Sequence, residues 1–318
     1  MTGDSAGPHI GAGGLAELVF HYAHALAVAP SAAVYGELLS ARSFAGTLLG
    51  RSAARQRPDL TGTAGWLSSL LAISAADLGE HAAAIIWCTD TERHGRDAAY
   101  RELLGWAALT RSLIAWYQGD PLTSAAAARR GQADGQPGSV AHARLAAQEM
   151  RGRAMLGDAA GMTDARRRAA TAMAQLGRPA PAASVYSVPR AEDPPYTATS
   201  LLLAGRCAEA AEMTRRIVDT AYRPQARAPW DQPTNYARTL LILALAAAGL
   251  GGLPVSVLTA SDVTAFLAGM TCIHAPGTPA ASSLLICWLL ARRLGCLKVV
   301  PSSPATPYSQ YLARRLDR

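Results

Sequence analysis

Apolar residues recur three and four apart along most of this chain, in stretches of about four helical turns that each stop at a glycine. An alanine-rich second stretch follows each stop. The stops read Asp77-Leu78-Gly79-Glu80, Tyr117-Gln118-Gly119-Asp120, Met155-Leu156-Gly157-Asp158 and Leu203-Ala204-Gly205-Arg206. Their glycines lie 40, 38 and 48 residues apart, with a weaker fifth at Gly249, 44 further on. A glycine in that place is what a left-handed helix end requires. The pattern therefore predicts antiparallel helix pairs stacked into an all-α solenoid, with no sheet.

The register within each pair sharpens this. Seven residues before the turn glycine stand Ala72, Ser112 and Ala198, and five after it stand Ala84, Ser124 and Ala210. Small residues at these two places let paired helices touch, as in tetratricopeptide repeats. Met150 and Met162 break the rule in the third pair. The spacings exceed the standard repeat of about 34 residues, so the array is a loose relative of the ideal tetratricopeptide form. Residues 15–28 and 31–55 read as two capping helices separated by Pro30. Turn-rich linkers are expected at 131–138, at 177–195 with its five prolines, and at 223–233. Long loops of this kind either cover a groove or simply connect. Beyond Gly249 the pattern weakens: helices are expected over 261–270 and 280–294, then a proline- and serine-rich stretch at 301–307 and a short amphipathic end, 308–318. The division is capping helices 1–60, repeats 61–250, and C-terminal helices and tail 251–318.

Composition agrees with helices. Half of the residues are apolar, mostly alanine and leucine, and only three are phenylalanine. The net charge of +7 comes almost wholly from arginine, Lys298 being the sole lysine. The arginine clusters at 166–168, 292–293 and 314–315 fall on unrelated elements, which argues against a nucleic-acid face. Five cysteines without ligand spacing, in apolar surroundings, read as reduced, buried thiols. No basic-then-apolar leader opens the chain, and no apolar run is long enough to span a bilayer. A cytoplasmic protein without a membrane partner is expected.

At this point the segments 34–50 (VYGELLSARSFAGTLLG), 70–84 (LLAISAADLGEHAAA), 107–120 (AALTRSLIAWYQGD), 196–222 and 235–249 (NYARTLLILALAAAG) together resemble a known family. They are similar to the tetratricopeptide-like sensor half of actinobacterial helix-turn-helix regulators. The resemblance covers roughly residues 30–250 and rests on order and spacing. It implies an inherited capacity to bind a ligand or partner. A helix-turn-helix domain needs about 60 residues ahead of the repeats, whereas about 30 precede them here, with no basic recognition helix. The expectation is a stand-alone descendant that does not read DNA directly.

Motifs for catalysis are missing: there is no GxxxxGK[ST], GxGxxG between strand and helix, HExxH or GxSxG. Glu17, His21 and His24 share helical spacing, but surface or capping roles outweigh a metal site. No metal and no cofactor are expected. The aromatic pattern says more. Trp66 and Trp106 each stand thirteen residues before their turn glycines, a place that faces the concave groove in tetratricopeptide arrays. The same register puts Ser69, Ile73, Asp77, Leu109, Leu113, Trp116, Tyr117, Arg144 and Arg151 on that wall, with Arg111 as a further polar anchor. Such a wall suits a small-molecule metabolite or a peptide, although both indoles could instead fill the core between repeats. A ligand with a carboxylate or phenolate would pair with an arginine and stack on indole. Two alternatives stay open. One is a cofactor-free biosynthetic enzyme of cyclase or isomerase type, with Glu149, His142, Asp77 or Arg111 as acid/base groups. The other is a scaffold for partner proteins; pairing with a second copy is likewise undecided.

Overall fold

The structure, a computed structural model, describes residues 12–54, 57–177, 184–188 and 194–221, together with Ile242 and Ala246. Among these residues the chain forms ten helices and no strand. They are α1 (Ala12–Val28), α2 (Ser31–Arg51), α3 (Arg57–Asp77), α4 (His81–Asp97) and α5 (Arg101–Tyr117). They continue with α6 (Pro121–Asp134), α7 (Val140–Leu156), α8 (Ala159–Ala174), α9 (Thr197–Leu203) and α10 (Cys207–Ala221). The odd-numbered helices pack side by side in one row, α1 on α3, α3 on α5, α5 on α7 and α7 on α9. Each later even-numbered helix lies against its pair mate, and α4 and α6 also contact the next first helix. This is the expected all-α solenoid of antiparallel pairs. Helices α1 and α2 occupy the two capping segments, although α2 stops at Arg51 and the division at residue 60 falls in the first turn of α3.

The turn glycines act as the pattern requires. Gly79, Gly119, Gly157 and Gly205 have φ of 79°, 78°, 74° and 74°. At each, the glycine N–H and the next N–H fold back on helix carbonyls, as when Gly79 and Glu80 bond to Ala76 and Ala75 at 3.1 and 2.9 Å. The α4–α5 turn makes the same bonds, Ala99 to Arg96 and Tyr100 to Gly95, but with an alanine at φ 57°. Without a glycine that turn carries no signal in the sequence. At the other helix ends, Asp120, Ser139 and Asp158 accept hydrogen bonds from the N–H groups of Thr123, His142 and Gly161.

The small contact positions Ala72, Ser112, Ala198, Ala84, Ser124 and Ala210 are all buried. Ser112 donates to the Ser124 carbonyl at 2.8 Å, joining α5 to α6. In the third pair Met150 and Met162 occupy the same two places and are buried as well, in one cluster with Leu201, Leu202, Ala210 and Ala246. The register there is regular; a flexible thioether fills the space that an alanine leaves elsewhere.

One linker is corrected. Gly131 lies inside α6 rather than in a turn, and the connection begins at Gly135. A Cβ at Gly131 would come within 2.6 Å of the Ala108 Cβ and 2.9 Å of Leu145, so the glycine serves close helix approach. Gly249, the linker at 223–233 and everything expected beyond 250 fall outside the described residues. Cys88 is buried, as expected, and burial pushes its thiol up to about 12. Cys207 is only partly buried, at the first position of α10 where one side meets water. Cys272, Cys287 and Cys296 lie outside the described residues. No described helix is long and apolar enough to cross a membrane.

Candidate functional site

The first-helix row carries a stripe on each of three helices. On α3 it is Trp66, Ser69 and Ile73; on α5 it is Glu102, Trp106, Leu109, Leu113 and Trp116; on α7 it is Arg144 and Arg151. Spacings of three, four and seven put each set on one face. These stripes meet, but through a residue that the stripe pattern does not contain. Residues 184–188, from the proline-rich linker between α8 and α9, lie across the row. Tyr186 sets its ring edge-on to both indoles, 4.9 Å from Trp66 and 4.7 Å from Trp106. Its hydroxyl donates to the Trp66 carbonyl at 3.1 Å.

The segment is held on both sides of that ring. The Val185 N–H donates to the Ala23 carbonyl of α1 at 3.0 Å, and its own carbonyl accepts from Arg144 Nη1 at 2.8 Å. Val188 packs with Ala143, Ala172 and Met173. Arg144 also lies 5.4 Å over the Trp106 ring and donates through Nη2 to the Tyr196 hydroxyl at 3.3 Å. Tyr196 in turn shares Arg151 with Trp116, the guanidinium standing 4.3 Å from each ring centroid. The result is a continuous file of rings and guanidiniums: Trp66, Tyr186, Trp106, Arg144, Tyr196, Arg151 and Trp116. Cation–π contacts out of water are worth about 2 kcal/mol each at best. Tyr196 holds its place with φ of 66°, a left-handed conformation that costs a bulky residue about 1–3 kcal/mol and persists only where surroundings enforce it.

The sequence-selected residues thus separate. Trp66, Ser69, Trp106, Leu109, Leu113, Arg144, Trp116 and Arg151 stand along this file or in the clusters beneath it. Trp106 is only 1% exposed, beneath Tyr186, and so belongs both to the wall and to the core. Tyr117, at the last position of α5, makes no ring contact among the described residues. Arg111 is engaged away from the ring file. It turns to α4, where Nε donates to Glu92 at 3.1 Å and Nη2 to Thr89 at 2.8 Å, because carboxylate on the neighbouring helix outcompetes an apolar wall for a guanidinium. Asp77 likewise accepts from Ser31 on α2.

Glu102 and Tyr186 are what sequence reasoning missed. Glu102 could have been found, since it precedes Trp106 by one turn on the same face. Burial raises its carboxyl above the usual range, while the nearby Trp106 indole N–H works against that. Burial also drives the Tyr186 phenol well above ordinary tyrosine; the Ser69 hydroxyl opposes the rise and the Glu102 charge adds to it. Both groups are therefore neutral more readily than in water. Tyr186 had no helical register to mark it.

Of the other acid/base candidates, Glu149 is held by ion pairs and hydrogen bonds between helices. Glu149, only 2% exposed, accepts from Arg168 Nη2 at 2.7 Å and Gln132 at 2.8 Å, with Arg129 and Arg153 at 3.6 and 3.7 Å. It ties α7 to α6 and α8. His142 sits in the first turn of α7, its pKa lowered by burial. A second, half-buried network, also unforeseen, joins α2, α3 and α4. Asp90 accepts from Arg42 at 2.7 Å, from Ser68 at 2.6 Å and from Arg93, and His94 Nε2 faces both guanidiniums. Among the described residues, no three His, Cys, Asp or Glu side chains, Glu17, His21 and His24 included, come together as a metal site. Set against models of known families, curated proteins and solved structures, the chain matches none of them.

Proposed function

We propose that this chain is a binding module related to the sensor half of a helix-turn-helix regulator, and that its first-helix row takes a small molecule or peptide carrying an aromatic ring. The helix-pair order and turn spacing support the relation. One observation carries the binding reading: two indoles on successive first helices flank a ring at 4.9 and 4.7 Å, with an arginine beside them that serves neutral acceptors. Such a slot offers ring edges, ring faces and one charged donor, which is the usual make-up of an aromatic-ligand site.

A second reading, a cofactor-free enzyme of cyclase or isomerase type, is favoured by one residue. Glu102 is a carboxyl beside the slot that burial raises above its ordinary range, so it holds a proton more readily than a free carboxylate and can act as an acid or base. A scaffold role has no comparable observation behind it. The test is quenching of tryptophan fluorescence on titration with a panel of aromatic acids, amines and short aromatic peptides, for the wild type and for Trp66→Ala. Trp66 is chosen because it is only partly buried, so its loss disturbs the core less than loss of Trp106. Saturable binding should weaken by roughly 1–3 kcal/mol in the variant, as for an aromatic anchor. No saturable response from any member of the panel would remove the binding reading. Turnover of a bound compound, lost in Glu102→Gln with binding retained, would move the assignment to the enzyme.

A further inference from the structure

The slot between Trp66 and Trp106 is already filled by the chain itself, and the way it is filled describes a ligand. We infer that residues 184–188 are a built-in competitor, and that the ligand which displaces them carries a 4-hydroxyphenyl group with a carbonyl or carboxylate oxygen near it. This rests on the binding reading above and names the ligand class for the same site.

Tyr186 gives the two indoles a ring edge-on and gives the Trp66 carbonyl a hydroxyl donor. Val185 gives Arg144 a carbonyl oxygen. When the segment leaves, the indoles lose a ring and Arg144 Nη1 loses its acceptor. Buried donors left without partners are costly, so the segment is released only by a molecule that replaces those groups. A phenol with an acceptor beyond the ring replaces all of them, and a carboxylate improves on the Val185 carbonyl because the bond becomes charge-assisted on both sides.

The hold on the segment is of a kind that can be exchanged. The segment has no helix of its own and enters from the proline-rich linker. The segment's own groups in these ties are all uncharged: a backbone N–H to Ala23, a carbonyl to Arg144 and a phenol to Trp66. Among the described residues Arg144 forms no ion pair with a carboxylate, whereas Arg42, Arg93, Arg111, Arg153 and Arg168 each do. A guanidinium held by neutral partners is a natural anchor for an incoming anion.

The same chemistry can come from a free phenolic acid or from a tyrosine in an extended peptide. Two probes separate them: 4-hydroxyphenylacetate and N-acetyl-tyrosinamide, with phenylacetate as the ring lacking the hydroxyl. Binding is measured by calorimetry and by tryptophan fluorescence on the wild type, Tyr186→Ala and Val185→Pro. Tyr186→Ala empties the slot; Val185→Pro removes the N–H bonded to Ala23 and loosens the segment while keeping the ring. Both variants are expected to bind the better phenol probe at least tenfold more tightly than the wild type, and phenylacetate several-fold more weakly than its hydroxylated counterpart. Whichever probe gains more identifies the source. The bound probe should also raise the melting temperature of Tyr186→Ala more than that of the wild type. If Tyr186→Ala does not fold, Val185→Pro alone decides. Equal affinity of wild type and variants overturns the competitor. Binding of other aromatic compounds that depends on Trp66, with neither phenol probe bound, overturns the ligand class while leaving the site reading intact.

Discussion

Helix α7 presents two faces that treat charge in opposite ways. On one, Glu149 is buried among Arg129, Arg153 and Arg168, from α6, α7 and α8. On the other, Arg144 and Arg151 lie over the rings of Trp106, Trp116 and Tyr196, and Arg144 donates to a carbonyl and a phenol. The first face is closed: a carboxylate with four donors around it has no capacity left for a ligand and fastens three helices. The second is open to exchange, since neutral acceptors and ring faces can be replaced by a ligand's own. The Asp90 network repeats the first kind between α2, α3 and α4. The ion-paired fastening and the ring file that we propose as the binding face thus lie on different faces of α7.

The largest effect that probes this contrast comes from the ring side. Trp106 is among the largest of the almost fully buried side chains described, and Leu109, Ala128, Ala141 and Leu145 cluster with it. Trp106→Ala should lower unfolding free energy by about 3–5 kcal/mol, read from the urea midpoint, and added salt should leave that loss unchanged. A loss under about 1 kcal/mol would mean that the ring file contributes little to the fold. On the ion-pair side, Glu149→Ala leaves three guanidiniums facing one another. Arg153 and Arg168 are each 35% exposed and Arg129 56%, so water relieves part of the repulsion. A loss of about 2 kcal/mol is expected, below the 3–5 of a fully buried pair. Unlike that of Trp106→Ala, it should change with salt.

An effect of similar size is a pH dependence on the ion-pair side. Asp90 is lowered to about 2, its hydrogen bonds from Arg93, Ser68 and Arg42 outweighing the burial that would raise it. A carboxylate depressed in the folded state stabilises fully above its unfolded value of 3.8 and loses that contribution as pH falls through about 2. Lowering the pH from 5 to below 2 should therefore remove about 2 kcal/mol from the wild type through this group. Asp90→Asn, already weaker at pH 5, should show a shallower acid limb in denaturant titrations. Parallel limbs would show that other carboxylates set the acid response.

How much of the site was legible depends on distance along the chain. The stripes Trp66-Ser69-Ile73 and Trp106-Leu109-Leu113-Trp116 could be read because helical spacing alone puts their members on one face. Arg144 and Arg151 followed from the same spacing. Arg111 shares that spacing, but what engages it could not be read from it: Glu92, nineteen residues away, pairs with it on α4. The α4–α5 turn was hidden because Ala99 takes a conformation usually marked by glycine.

The sequence by itself determined the helix pairs, the glycine turns and the contact positions within each pair. Each of these depends on local geometry: a period of 3.6 residues, a positive φ at a helix end, and the bulk of one side chain where two helices touch. Met150 and Met162 show the tolerance of that determination, since the place in the stack survives a change of residue. Tertiary structure alone decided which donors surround Glu149 and Asp90, and that Tyr186 lies between Trp66 and Trp106. Tyr186 and Trp66 are 120 residues apart, and no periodicity connects a coil residue to a helix face. Their meeting follows from the stacking of the pairs, which brings α3 and α5 together and leaves between their indoles a space that one ring fills.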